Sequence, residues 1–173
     1  SGNSFATIDN ALVKNLEYSP LSDAVKPHPV HRLDYPTSGL LLVGKTQSSL
    51  QKLNQLFEVR KVHKTYHAIN TGKMPREGEI SLAIDKKEAV THFHLLRFQS
   101  SQRFGRLNLI ELSPKTGRKR QLRKHLACSG NPILGDQKYG KTGFILKGKG
   151  LYLHASKLEF IHRRNDRYSI GFA

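Results

Sequence analysis

Apolar positions in this chain come in short runs, most of them of strand length. "GLLLVGK" (39–45) is almost continuously apolar, which predicts a strand buried on both faces. Leu50, Leu53, Leu56 and Phe57 then recur at helical spacing with Thr46 or Ser48 as N-cap, predicting a helix over about 47–59. "KTYHAINTG" (64–72) alternates, so Tyr66, Ala68 and Asn70 should share one face of a strand. "MPREGEI" reads as a turn, whereas "AVTHFHLLRF" (89–98) and "RLNLIELSP" (106–114) read as strands joined by a polar loop. "KRQLRKHLACSG" (119–130) predicts a short helix, with Leu122 and Leu126 inward and Gly130 at its C-terminal cap. "NPILGDQKYG" is a loop punctuated by Pro and Gly, and strands are expected over 151–160 and near 167–172. Residues 1–30 are mixed and turn-rich, with Pro27 and Pro29 imposing an extended approach to His31. Many strands, two helices and no strict βαβ alternation predict an α+β fold: a mixed, mainly antiparallel sheet flanked by a few helices and loops. With no repeat or linker, one domain over 1–173 is expected.

Charge narrows the partners. Twenty-nine Lys and Arg stand against 13 Asp and Glu, a formal net charge of +16. A field of that sign attracts polyanions, and nucleic acid fits better than an anionic membrane because no long amphipathic basic helix is evident. A lone cysteine, Cys128, excludes an internal disulfide and suits a reducing compartment. No apolar stretch approaches the ~20 residues of a membrane span, and "SGNSFATIDN" lacks a signal-peptide core. A soluble, cytoplasmic chain is expected.

Several chemistries fail on spacing. His63 and His67 are four apart, but no Glu of a zincin motif lies between them and no carboxylate or cysteine cluster accompanies the nine histidines, so no metal is expected. "GKTGFILKGKG" has neither Walker spacing nor a strand-turn-helix frame, and reads as a basic loop that touches phosphates. Cys128 falls on the helix near Leu126 and packs as a small hydrophobe. Asp34 in "HRLDYPTSG" (31–39) is different. Arg32 precedes it, the Thr37-Ser38-Gly39 turn offers backbone donors, and the apolar run anchors the loop, which is the rigid support a catalytic carboxylate requires. On residue type alone it reads first as a turn aspartate capping backbone amides, and its neighbours are what change that reading.

The segment resembles the signature of the RluA family of pseudouridine synthases, written His-Arg-Leu-Asp-x-x-Thr-Ser-Gly. "KTYHA" (64–68) is similar to that family's Lys-x-Tyr-x-Ala segment. "GRKRQLRKHLACSGNPILGDQKYG" (117–140) resembles its Gly-Arg-Thr-His-Gln-Ile-Arg-x-His-Leu and Gly-x-Pro-Ile-x-Gly-Asp-x-x-Tyr-Gly stretch, and "LYLHASKLEFIH" (151–162) its closing block. Four blocks in order cover most of 28–162. Lys119 and Arg120 replace the usual Thr-His, and Arg163 stands where Pro commonly follows. The family's first N-terminal strand is missing or survives as "SGNSFAT", and no separate N-terminal RNA-binding domain is expected.

The resemblance implies the pseudouridine synthase catalytic-domain fold, with a cleft across the sheet, and isomerisation of uridine in ribosomal or transfer RNA by base flipping. Asp34 would be the essential carboxylate, Arg123 its salt-bridging partner, and Tyr66 the ring that stacks on the target base. Arg32 would fill the space the base leaves, Leu122 would pack beneath the uracil, and His31, Thr37, Lys64, Arg118, Arg120, Gln121 and His125 would contact RNA. Neither metal nor cofactor is implied, and a monomer is expected. A non-catalytic RNA-binding or ribosome-assembly module on the same scaffold is the competing expectation.

Overall fold

The computed structural model describes residues 8–145, 148, 150–163 and 166–171, with backbone alone at 162, 163, 166 and 167. In chain order the elements are α1 (Ile8–Asn15), β1 (Ala24–Pro29), β2 (Ser38–Gly39), β3 (Val43–Thr46), α2 (Gln47–Glu58) and β4 (His63–Thr71). There follow β5 (Glu77–Ser81), β6 (Val90–Ser101), β7 (Gly105–Pro114), α3 (Gln121–Cys128), β8 (Leu153–Arg163) and β9 (Asp166–Gly171). They group into two compact units: Ser1–Leu33 with Leu41–Val62, and Asp34–Leu40 with His63–Ala173. The strand remnant expected in residues 1–7 lies outside the described residues.

In the first unit β1 pairs antiparallel with β3. The helix α2 begins where the sequence places it, because Thr46 and Ser49 cap one another: each side-chain oxygen accepts the other's backbone N–H at 3.1 Å. The helix α1 was not expected; it has no buried residue, so no apolar stripe announces it.

The second unit holds the large sheet, in the order β2-β8-β4-β7-β6-β5, with β9 also on β8. Only β2 runs parallel to its neighbour; the remaining pairs are antiparallel, giving the mixed sheet expected. Tyr66, Ala68 and Asn70 of β4 do share a face, opposite Leu112, Ile110 and Asn108 of β7. Ile110, Leu112, Leu122, Leu126, Ile133 and Leu153 form the core on that face, with Tyr66 packed against them. The C-terminus of α3 closes as a Schellman motif: Gly130 at φ 79 donates to the Ala127 carbonyl, and Asn131 N–H to that of Leu126.

Three expectations are corrected. Cys128, expected to pack as a small hydrophobe, is exposed at the last position of α3. The run 39–45 is not one buried strand: Ser38–Gly39 joins β8, residues 40–42 are half-buried and not in a strand, and Val43–Thr46 pairs with β1. An apolar run signals burial but not with what. Likewise "MPREGEI" is not wholly a turn, since Glu77–Ser81 pairs with β6 as an edge strand in which Ile80 alone is buried. One inward residue leaves too little alternation to read.

Candidate active site

Asp34 begins a tight turn in which its carbonyl accepts the Thr37 N–H at 2.8 Å. The chain then presses onto β8. Ser38 Oγ lies 2.9 Å from His154 Nδ1, and Leu40 N–H donates to the Ala155 carbonyl at 2.9 Å. Gly39 has φ 114, and any Cβ there would collide with the Ala155 backbone, so only glycine fits. Gly39 pairs with Ala155, and Ala155 with Tyr66, so turn and tyrosine share one rung of the sheet with the smallest chiral side chain between them.

The carboxylate of Asp34 accepts no hydrogen bond from any described residue, yet its charge acts on two groups across the site. The Tyr66 hydroxyl is pushed up to about 12, first by burial and then by Asp34. Arg123 is raised too, chiefly by a hydrogen bond to Asp136 that outweighs the opposing effect of burial, with further contributions from the charges of Asp136, Asp34 and Tyr139.

The direct partner of Arg123 is therefore not the one expected. No ion pair joins it to Asp34; instead its Nε and Nη2 donate to Asp136 Oδ2 and Oδ1 at 2.8 and 2.7 Å. The side chains are 6% and 1% exposed, so this is an enclosed two-point ion pair. Asp136 Oδ1 also accepts the backbone N–H groups of Lys138 and Tyr139, both at 2.9 Å. Burial would raise the Asp136 carboxyl, but the Arg123 and backbone donors hold it below its ordinary 3.8. The Tyr139 ring completes the setting, its centroid 5.3 Å from the guanidinium carbon. Asp136 is the residue that sequence reasoning missed, although it lies in the quoted "GDQKYG".

The other expected site residues divide. Lys64 is half-buried, its amine near Gly117, and burial lowers its pKa. Arg118 Nε donates to the Glu88 carbonyl at 2.9 Å, and Arg120 opens α3 in the left-handed region at φ 57 without a side-chain cap. The Thr37 hydroxyl is enclosed and makes no hydrogen bond among the described residues. In the first unit, His31 stacks on Phe57 and its Nε2 accepts the Leu42 N–H at 2.9 Å, while Arg32 is exposed.

Gln121, Leu122 and His125 are buried. Gln121 is bound to Thr116, Thr91, the Val90 carbonyl and the Arg118 N–H. His125 lies 3.0 Å from both Thr91 Oγ1 and the Leu82 carbonyl, and burial lowers its pKa, so it is a neutral brace between α3 and β6. Leu122 sits in the core against which Tyr66 packs. Among the described residues no group of three or more His, Cys, Asp or Glu is placed to hold a metal ion, and no helix is long and apolar enough to cross a membrane.

Comparison with known proteins follows this geometry. The family model described as RNA pseudouridylate synthase matches residues 7–128. A Chloroflexus aurantiacus protein, "Uncharacterized RNA pseudouridine synthase", is 32% identical over 181 residues, covering 96% of this chain and 56% of that one. "Ribosomal large subunit pseudouridine synthase D" of Borreliella burgdorferi is 37% identical, covering 89% and 51%. "tRNA pseudouridine synthase C" of Haemophilus ducreyi is also 37% identical, covering 82% and 70%. The chain thus spans about half the length of the first two relatives. The solved structure of "Human RNA Pseudouridylate Synthase Domain Containing 1" superposes with a TM-score of 0.77 at 25% identity, over 85% of this chain and 69% of that one. Sequence match and fold agree, and the chain belongs to the RNA pseudouridylate synthase family, in its RluA branch.

Proposed function

We propose that this chain carries the catalytic domain of an enzyme that isomerises uridine to pseudouridine in ribosomal or transfer RNA. One observation carries the reading: the Asp34 carboxylate, which accepts no hydrogen bond from the described residues, acts electrostatically on both the Tyr66 hydroxyl and the Arg123 guanidinium. In the reaction the bond from ribose C1′ to uracil N1 breaks, the base turns, and C1′ bonds to C5. The C5 proton is lost and N1 is left carrying one, so the change needs no redox partner.

Attack by a carboxylate on ribose or base, and proton abstraction from the ribose, both require Asp34 ionised. The Arg123 guanidinium, on which the Asp34 charge acts, is held in place by Asp136. The Tyr66 phenol, at about 12, stays protonated at neutral pH and offers a stacking face with a proton to give. Flipping the base out of a folded RNA costs a few kcal/mol of stacking, which the net charge of +16 helps offset by holding the backbone. This reading assigns Lys64, Arg118 and Arg120 as phosphate contacts, while Arg32 keeps the role of filling the space the displaced base leaves. It places the enzyme in the cytoplasm, acting as a monomer without metal. The test is to map pseudouridine in ribosomal and transfer RNA from cells with and without the protein. Loss of specific sites supports the reading, and identical maps end it.

A further inference from the structure

At the far end of the active-site face, β6 and β7 meet in a hairpin. Its tip, Ser101 to Gly105, turns with Phe104 N–H donating to Ser101 Oγ and Gly105 at φ 73. No Asp or Glu occurs between Glu88 and Glu111, whereas Arg97, Arg103 and Arg106 do. Two of the arginines lie on phenyl rings: Arg106 is 3.9 Å from the Phe98 centroid and Arg103 4.9 Å from that of Phe104.

Phe98 is the unusual member. A bulge between Leu95 and Arg97 returns it to the face that carries Tyr66, opposite Asn108, yet it is 57% exposed. Its guanidinium neighbour is held from below, because Arg106 Nε donates to Asn108 Oδ1 at 2.9 Å. Asn108 is itself fully buried and bound to Asn70 and the Gly72 carbonyl. The terminal amino groups of Arg106 bond to nothing among the described residues. A ring and a cation are thus presented together on a rigid support, on a segment without acids.

We propose that Phe98 and Arg106 form a second RNA contact, which stacks an unpaired base on the open part of the ring and grips the adjoining phosphate. Its distance from the chemistry is about 14 Å, four residues along β7 from the Leu112 rung that carries Tyr66. It therefore takes a nucleotide flanking the target rather than the target itself. This deepens the uridine-isomerase reading and rests on it for the identity of the RNA, but its test does not need turnover.

The probes are a fluorescent oligouridylate and heparin, a polyanion without bases. Phe98→Leu keeps apolar bulk and removes the π face, so it should weaken oligouridylate binding by about five- to a hundredfold and leave heparin unchanged. Phe98→Trp should restore the affinity, and Arg106→Gln should weaken both ligands. Unchanged oligouridylate binding in Phe98→Leu overturns the proposal, and so does an equal loss for heparin, which would make the ring mere support for charge. Identical pseudouridine maps with and without the protein, with the oligouridylate effect intact, would defeat the isomerase reading and leave this contact standing.

Discussion

Two aspartates of this chain face the same arginine and are treated in opposite ways. Asp136 is 1% exposed, and its carboxylate accepts four N–H groups, two from Arg123 and two from the backbone. The Asp34 carboxylate accepts none from the described residues and reaches Arg123 only through its field. A carboxylate saturated with donors is stabilised and chemically idle; one left unsatisfied keeps its lone pairs for a substrate. Residue type does not separate these two acids. Hydrogen-bond occupancy does, and it is what supports the proposal of Asp34 as the reacting carboxylate.

The contrast is breakable by substitution. Asp34→Asn should lower pseudouridine formation by about a thousandfold or more while RNA affinity stays nearly intact; unchanged turnover would falsify the catalytic assignment. The result should reverse at the other acid. Asp136→Asn should cost about 3–5 kcal/mol of stability in urea titrations, because it strands a buried guanidinium. Joint replacement of Arg123 by Met and Asp136 by Leu should recover much of that stability without recovering turnover. If the double variant stayed as unstable as the single one, the pair would be more than a structural clamp.

Arg123→Lys sharpens the comparison with a smaller effect. A point charge cannot reproduce the two-point contact with Asp136, so turnover should fall more than RNA binding. Equal losses in the two measurements would make Arg123 a phosphate contact instead. The smallest effects lie in pH dependence. Asp136 is depressed in the folded state, so its contribution is full above 3.8 and is lost as pH falls below that value. Tyr66 works the other way: with a folded value of about 12 against 10.0, the folded state retains a proton the unfolded state gives up, and stability drains away as pH rises above 10. Acid titration of Asp136→Asn and alkaline titration of Tyr66→Phe should each show a flatter stability curve than the parent chain.

Much of the fold is legible in the sequence, for physical reasons. Alternation in "KTYHAINTG" places Tyr66, Ala68 and Asn70 correctly because their face is enclosed. The Leu50-Leu53-Leu56-Phe57 spacing and the mutual cap at Thr46 and Ser49 fix α2 in the same way. Illegible parts lack such a stripe: α1 has no buried residue, and β5 buries Ile80 alone. The pairing inside the candidate site is not legible in the sequence. Spacing brings Arg123 to the site, yet whether it meets Asp34 or Asp136 depends on where the 131–136 loop lies, which periodicity does not encode. The burial of Gln121 and His125 is likewise invisible in the sequence, because it depends on their partners in β6.

Because Gly39, Ala155 and Tyr66 occupy one rung, the gap between acid-bearing loop and phenol is measured in pleats rather than in loop length. Loops elsewhere can grow, shrink or change composition without altering it. A single residue inserted in β8 just ahead of Ala155 would swap inward and outward positions and misalign the two halves at once. The short signature around Asp34 and the distant strand it leans on therefore work as a matched pair, and grafting the signature alone onto another sheet would carry the letters without the geometry.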